Sequence, residues 1–292
     1  MGKPNQVFLF MCHYISKGIA KEYEKLLRTT KDIGEAYYLY HSNSEEIPAA
    51  VKEHNYYLYT YKSLASLNYP MLGPSLIPGH CHFPVLKFFQ DNPRFDHYWL
   101  IEYDVRFSGN WHVFFDYFNT VKEGFLTSHI RSHADEPKWT WWSLRHPQKS
   151  IPISERLRSF NPIYRISNPA LVSLHQSLQD GWCGHQEVVM PTLLSYNGFH
   201  LRDFGGRGRF TSPDTVNKFY FSANDQFGNL DRGTMRYRPL FLRVGWRKNK
   251  LYHPVKHLSW KQRIPIYFRR CWRFPLIFKS FVQKTRHHTS KI

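Results

Sequence analysis

Apolar and polar positions alternate along the chain in a way that separates short strands from amphipathic helices. Gln6–His13 is a nearly continuous hydrophobic run, the pattern of a strand buried on both faces. Ser16–Thr30 has helical spacing, with Ser16 as its N-cap. Ala36–Tyr40 and Tyr56–Tyr59 read as a second and a shorter third strand. Residues 70–79, rich in Pro and Gly, form a loop, and Cys81–Gln90 predicts a helix leading into the run His97–Val105. Strands alternating with helices through the first 120 residues predict a parallel, doubly wound sheet. Farther on, Ser108–Trp111 is a turn opening a helix through Asn119, and Phe125–His129 is a further strand. Ala134–Arg145 is a tryptophan-dense loop, and Asn168–Gln179 is helical. Gly184–Tyr196 predicts a helix interrupted at Pro191, and Phe204–Arg209 a mobile glycine-rich loop.

The run His97–Val105 carries the chain's most informative chemistry. It is aromatic and apolar, yet it ends in two carboxylates one residue apart. Side chains alternate along a strand, so Tyr98, Leu100, Glu102 and Asp104 are expected on one face. Carboxylates at the C-terminal end of a buried strand sit where open α/β sheets bind ligands. A hard divalent cation, Mg2+ or Mn2+, accounts for such a pair, because it takes oxygen ligands and leaves positions for phosphate oxygens.

Charge changes the picture at one end only. All 22 acidic residues lie at or before Asp231, and 17 of the 40 Lys and Arg follow it. A near-neutral body therefore precedes a strongly basic end, which seeks polyanions. The sequence divides into a catalytic domain, residues 1–258, and a basic aromatic extension, residues 259–292. In that extension cations interleave with Ile264, Ile266, Tyr267, Phe268, Trp272, Leu276, Ile277 and Val282, as in a segment lying on an anionic membrane surface. Cys12, Cys81, Cys183 and Cys271 form no C-x-x-C pair and suit a reducing compartment. The apolar core Val7–Met11 is too short for a signal peptide, and no window approaches a membrane span.

Several other groups are candidates for chemistry. Arg207 and Arg209, in the glycine-rich loop, have the guanidinium forks that suit a diphosphate. Trp139, Trp141 and Trp142, with His185, are the candidates for substrate contact. Asp135 and Glu136 form a reserve acidic pair. His80, His82, Cys183 and His185 invite a zinc reading, but their spacing matches no familiar structural site.

Taken in order, these features resemble the nucleotide-diphospho-sugar transferases of the GT-A fold, chiefly those of bacterial polysaccharide assembly. The resemblance rests on the N-terminal strand and on Trp99 to Trp111, which reads W-L-I-E-Y-D-V-R-F-S-G-N-W. It also rests on Gly184-His-Gln-Glu187 and on Tyr252-His-Pro-Val-Lys256. It covers roughly residues 5–256, with Glu-x-Asp where Asp-x-Asp is commoner. It implies a mostly parallel sheet flanked by helices, with Glu102, Asp104 and a late His253 holding Mn2+ or Mg2+ against the donor diphosphate. Glu187 would be the base that takes the acceptor's proton, beside Asp104 in the catalytic set. The end of the first strand, His13 and Tyr14, would meet the nucleobase.

The expectation is thus a hexosyltransferase-type enzyme of surface polysaccharide or glycolipid assembly. It would use a nucleotide-sugar donor, UDP favoured, and a glycan or lipid-linked acceptor. It would be cytoplasmic and peripheral at the inner face of the membrane. A catalytically inactive transferase-like scaffold, or a nucleic-acid-binding protein using the basic end, are the alternatives. No nucleic-acid motif accompanies that charge, so no specific nucleic-acid partner is expected.

Overall fold

The computed structural model describes residues 5–42, 46–77, 79–223, 226–230 and 232–256. The extension 259–292 and its membrane reading lie outside the described residues. The first compact unit of the chain runs to Val255.

The strands in chain order are β1 (Gln6–Cys12), β2 (Glu35–His41), β3 (Tyr56–Tyr59), β4 (His97–Glu102), β5 (Arg106–Phe107), β6 (Phe125–Ser132), β7 (Leu144–Arg145), β8 (Leu157–Ser167), β9 (Cys183–Gly184), β10 (Leu201–Asp203) and β11 (Leu251–Tyr252). Seven of them make one sheet in the order β10-β6-β8-β4-β1-β2-β3. Within it only β8 runs against the others, so the sheet is mostly parallel. The helices are α1 (Lys17–Thr30), α2 (Ala49–Lys52), α3 (Tyr61–Ala65), α4 (Phe83–Asp91), α5 (Trp111–Asn119), α6 (Asn168–Gln179) and α7 (Gln186–Tyr196). Ser16 caps α1 through its side chain, as its position predicts.

Helices cover both faces, and β1 shows why its sequence is apolar throughout. Val7, Leu9 and Met11 enter the core beneath α4, α6 and α7, while Phe8, Phe10 and Cys12 enter the one beneath α1 and α5. In the second core Phe114 meets Trp99, Phe107, Phe204 and Phe219 edge-on or tilted and has no exposure. Burial of such a ring contributes roughly 3 kcal/mol.

Four expectations are corrected. The strand ends at Glu102, and Asp104 lies in the following turn, where Val105 N bonds to Glu102 O at 2.9 Å. Asp104 therefore reaches the site through a turn and not through strand alternation. α7 runs unbroken through Pro191, because burial of Val188, Val189, Met190, Leu193 and Leu194 around it outweighs the lost backbone bond. The strand expected to end at His129 continues to Ser132. The glycine-rich loop is tied at its start, since Asp203 Oδ1 accepts from the N–H groups of Gly205 and Gly206 at 3.0 and 3.1 Å.

The sequence reading also missed β8, the longest strand. It contains Arg158, Asn161, Pro162 and Arg165, all of which argue against a central strand. Tertiary partners take up several of their polar atoms. Arg165 donates to the carbonyls of Phe118, Val121 and Glu123 at the end of α5, and Asn161 accepts from Thr127 and Ser159. Pro162 falls where the β6–β8 register is irregular and just past the β4 pairing.

Candidate active site

The parallel strands β1 and β4 end at one edge, and the site is assembled there. Tyr103 N bonds to Met11 O at 3.0 Å, which sets the Glu102–Val105 turn beside the end of β1. β5 then pairs antiparallel with β11, matching Arg106 to Tyr252, and Val255 N bonds to Asp104 O at 2.8 Å. That ribbon carries His253 back over the turn, from about 150 residues farther along the chain. His253 N donates to Thr234 O, and Arg236 N donates to His253 O, so the backbone on both sides of the imidazole is held.

Glu102, Asp104 and His253 consequently form a group whose ligand atoms all lie within 4.8 Å of one another. His253 Nε2 lies 3.5 Å from Glu102 Oε2 and 3.4 Å from Asp104 Oδ1. Nδ1 of the same ring lies 2.8 Å from the Arg236 carbonyl. A carbonyl only accepts, so Nδ1 carries a hydrogen and Nε2 is the atom turned toward the carboxylates. Burial alone would lower the imidazole's pKa, but Asp104 and Glu102 raise it to about 10. The field that holds a proton there will equally hold a metal cation. Two carboxylate oxygens and one imidazole nitrogen fit a divalent ion such as Mn2+.

Glu187 sits in the first turn of α7, 14% exposed, with His185 Nδ1 at 3.9 Å from its carboxylate. Burial raises its pKa to about 7. Arg158 opposes the shift, Glu102 adds to it and His253 opposes it, so Glu187 feels the charges of the Glu102–Asp104–His253 group. His185 caps α7 by accepting from Glu187 N at 3.3 Å and lies stacked with Trp141 at 5.1 Å.

The three tryptophans separate. Trp141 is 39% exposed, whereas Trp139 and Trp142 pack with Val188 in a small buried cluster. Trp142 donates its indole N–H to Glu136 O, and Trp139 lies under the Arg158 guanidinium at 4.7 Å. Of the three, Trp141 is the exposed one. Glu136 itself is 3.1 Å from Arg158, and Asp135 accepts from the Ser132 backbone and hydroxyl, so neither acid stands ready as a base.

His13 and Tyr14 follow β1 and form a mutual aromatic cluster with Tyr103, at centroid distances of 5.0–5.3 Å. Tyr103, which sequence reasoning passed over, stands between Glu102 and Asp104 in the chain; its place inside Glu-x-Asp was the available signal. Arg207 and Arg209 are at the surface. Asn217, with its amide oriented to accept, takes bonds from Arg207 at 3.1 and 3.3 Å, and Arg209 lies over Phe210. The zinc reading is not upheld: among the described residues, the His/Cys/Asp/Glu group close enough to share a metal ion is Glu102, Asp104 and His253. A groove of about 630 Å³ lies at the opposite edge of the sheet, between His97, Gly124, Ser167 and His200, away from these residues.

Comparison with known proteins adds the following. The family model described as Protein of unknown function (DUF3405) matches residues 51–123, which include Glu102 and Asp104 but neither Glu187 nor His253. No curated protein matches. Among solved structures, the chain is similar to mannosyl-3-phosphoglycerate synthase from Rubrobacter xylanophilus, at 12% identity and a TM-score of 0.40, over 70% of this chain and 67% of that one. It is similar to glucosyl-3-phosphoglycerate synthase from Mycobacterium tuberculosis in complex with Mn2+, UDP-glucose and glycerol 3-phosphate, at 10% identity and a TM-score of 0.39, over 72% and 73%. It is also similar to a glycosyltransferase involved in glycosylation of the major capsid of PBCV-1, at 10% identity and a TM-score of 0.31. That match covers 60% of this chain and 64% of the other, so the chain spans under two thirds of that enzyme's length.

Proposed function

We propose that this protein is a metal-dependent glycosyltransferase that moves a hexosyl group from a nucleotide-sugar donor to a hydroxyl. The observation that carries the reading is the Glu102–Asp104–His253 group with Glu187 in its electrostatic reach, at the ligand-binding edge of the sheet. Each residue has a task in that reaction. Glu102 and Asp104 give carboxylate oxygens to the cation, and His253 gives Nε2, oriented by its Nδ1–H bond to Arg236 O. The mixed oxygen and nitrogen set suits Mn2+ better than Mg2+. When bound, the cation supplies Lewis-acid stabilisation to the leaving diphosphate. Glu187 takes the proton of the acceptor hydroxyl on its carboxylate, and a pKa near 7 matches that work to neutral pH.

Trp141 offers an apolar face to a sugar ring, with His185 stacked behind it. His13, Tyr14 and Tyr103 receive the nucleobase of a donor, UDP favoured, and Arg207 and Arg209 take phosphate oxygens. The acceptor is a glycan or a lipid-linked saccharide of surface polysaccharide or glycolipid assembly. The basic extension 259–292 brings the enzyme to the anionic face of the membrane on which that acceptor lies.

Isothermal titration with UDP-sugars, with and without Mn2+, tests the reading. Binding that needs Mn2+ is the expected result. No binding of any UDP-sugar in saturating Mn2+ would sink it and leave a transferase-like scaffold.

A further inference from the structure

Trp246 is 87% exposed, more than the other large hydrophobic side chains exposed among the described residues. It borders a groove of about 590 Å³ lined by Asn217, Phe221, Trp246, Arg247, Lys248 and Lys250. The Arg247 guanidinium lies 3.9 Å over the Phe221 ring and 5.1 Å over that of Trp246. Three cations therefore meet two aromatic rings in one concavity. Among the described residues, no carboxylate pairs with Arg247, Lys248 or Lys250. Partial burial and the positive charge of Arg247 both lower the Lys250 pKa. A groove of this kind gains from an anion.

We propose that the groove is a docking surface for an anionic phospholipid bilayer, with Arg247, Lys248 and Lys250 on lipid phosphates and Trp246 inserted at headgroup level. Indole prefers that depth, where one side of the ring is apolar and its N–H stays wet. Charge alone would also suit a nucleic acid, and exposed aromatics can stack on bases. The sequence that follows decides between them. Ile264, Ile266, Leu276, Ile277 and Val282 lie between its cations, and aliphatic side chains gain from acyl chains but little from nucleobases. The inference extends the membrane reading of the extension to folded residues and does not depend on the reaction. It also links binding to the site: β11 begins at Leu251, directly after Lys250, and leads into His253.

The test uses the full chain, extension included, with vesicles of phosphatidylglycerol and phosphatidylcholine against vesicles of phosphatidylcholine alone. Trp246 and Lys248 are both exposed, and W246A/K248E leaves in place Arg247, stacked on Phe221, and the half-buried Lys250. The double variant should bind the anionic vesicles at least about 10-fold more weakly, with an unchanged thermal midpoint, since each cation near such a surface is worth roughly a factor of five. Should that variant be unstable, the milder W246F serves. Quenching of the wild type by brominated lipid should then exceed that of W246F. Equal partitioning of variant and wild type, or equal quenching, overturns the proposal. So does a wild type that ignores anionic vesicles, or one whose variant loses affinity for a single-stranded RNA oligonucleotide and not for vesicles.

Discussion

Two acidic sites in this protein have opposite characters. Glu136 and Arg158 are each 1% exposed and lie 3.1 Å apart, with Trp139 over the guanidinium. Glu102 and Asp104 face His253 at similar range. An arginine stays protonated at any ordinary pH, so the Glu136 charge is cancelled permanently and the pair is structural. The cation of the second site is a proton on an imidazole, and a proton can be exchanged for a metal. The same carboxylate chemistry meets a fixed cation in one place and an exchangeable one in the other, and the difference lies in the partner.

The sharpest way to break that contrast is Asp104→Asn. Mn2+-dependent transfer should fall about 10³-fold or more, because a metal ligand is lost. The fold should lose little stability, under about 2 kcal/mol, since His253 can shed its proton once a counter-charge is gone. Activity retained in this variant, or retained by the wild type in EDTA, would remove the metal site from the mechanism.

Glu136→Gln should behave in the reverse manner. Arg158 cannot neutralise itself, so the variant leaves a buried charge uncompensated and should cost about 3–5 kcal/mol in urea or thermal unfolding. If Glu136→Gln were no more destabilising than Asp104→Asn, the distinction between a fixed and an exchangeable partner would fail.

How far the sequence revealed these sites follows from the same contrast. Glu102 and Asp104 were legible because two acids at the end of an apolar run break a local pattern. Asp104's turn was not, since alternation along a strand carries no sign of where the strand stops. Glu187 and His253 entered only through resemblance to a family, because nothing local sets them apart from an ordinary first-turn acid or an exposed histidine. Arg158 was invisible. It lies in β8, whose arginines and asparagine read as surface residues until Glu136, the end of α5 and Thr127 are brought up against them. Trp139 and Trp142 were offered as substrate contacts from a proline-bearing loop, and their packing against Val188 and Arg158 has no sign in the local sequence. The parallel core was read correctly at β1 and β2 because strands buried on both faces need no tertiary information to be recognised.

Glu187 lies between the two sites and feels both, Arg158 and His253 on one side of the balance and Glu102 on the other. Glu187→Gln keeps the shape but cannot accept a proton, so turnover should fall about 10²-fold while donor affinity holds. The working form is the carboxylate. In the wild type kcat/KM should therefore rise with pH through an apparent pKa at or below about 7, a bound cation drawing it downward, and the variant should lose that limb. Weakened donor binding with turnover preserved would make Glu187 a binding residue instead.

The smallest effect is also the most direct reading of exchange. His253 has a pKa raised from 6.5 to about 10, so at pH 7.5 its Nε2 carries a proton that a metal must displace. Mn2+ titrations in buffers of different ionisation enthalpy should register the release of about one proton per ion bound. The sign of the stability change follows. The folded pKa lies above the ordinary one, so the proton's contribution is whole below pH 6.5 and is lost as pH climbs through about 10. Metal-free protein should lose thermal midpoint across that window, and Mn2+-loaded protein should lose less, having no proton left there to give up. Mn2+ binding with no proton release at pH 7.5 would mean that His253 is not a ligand, leaving the cation to the two carboxylates alone.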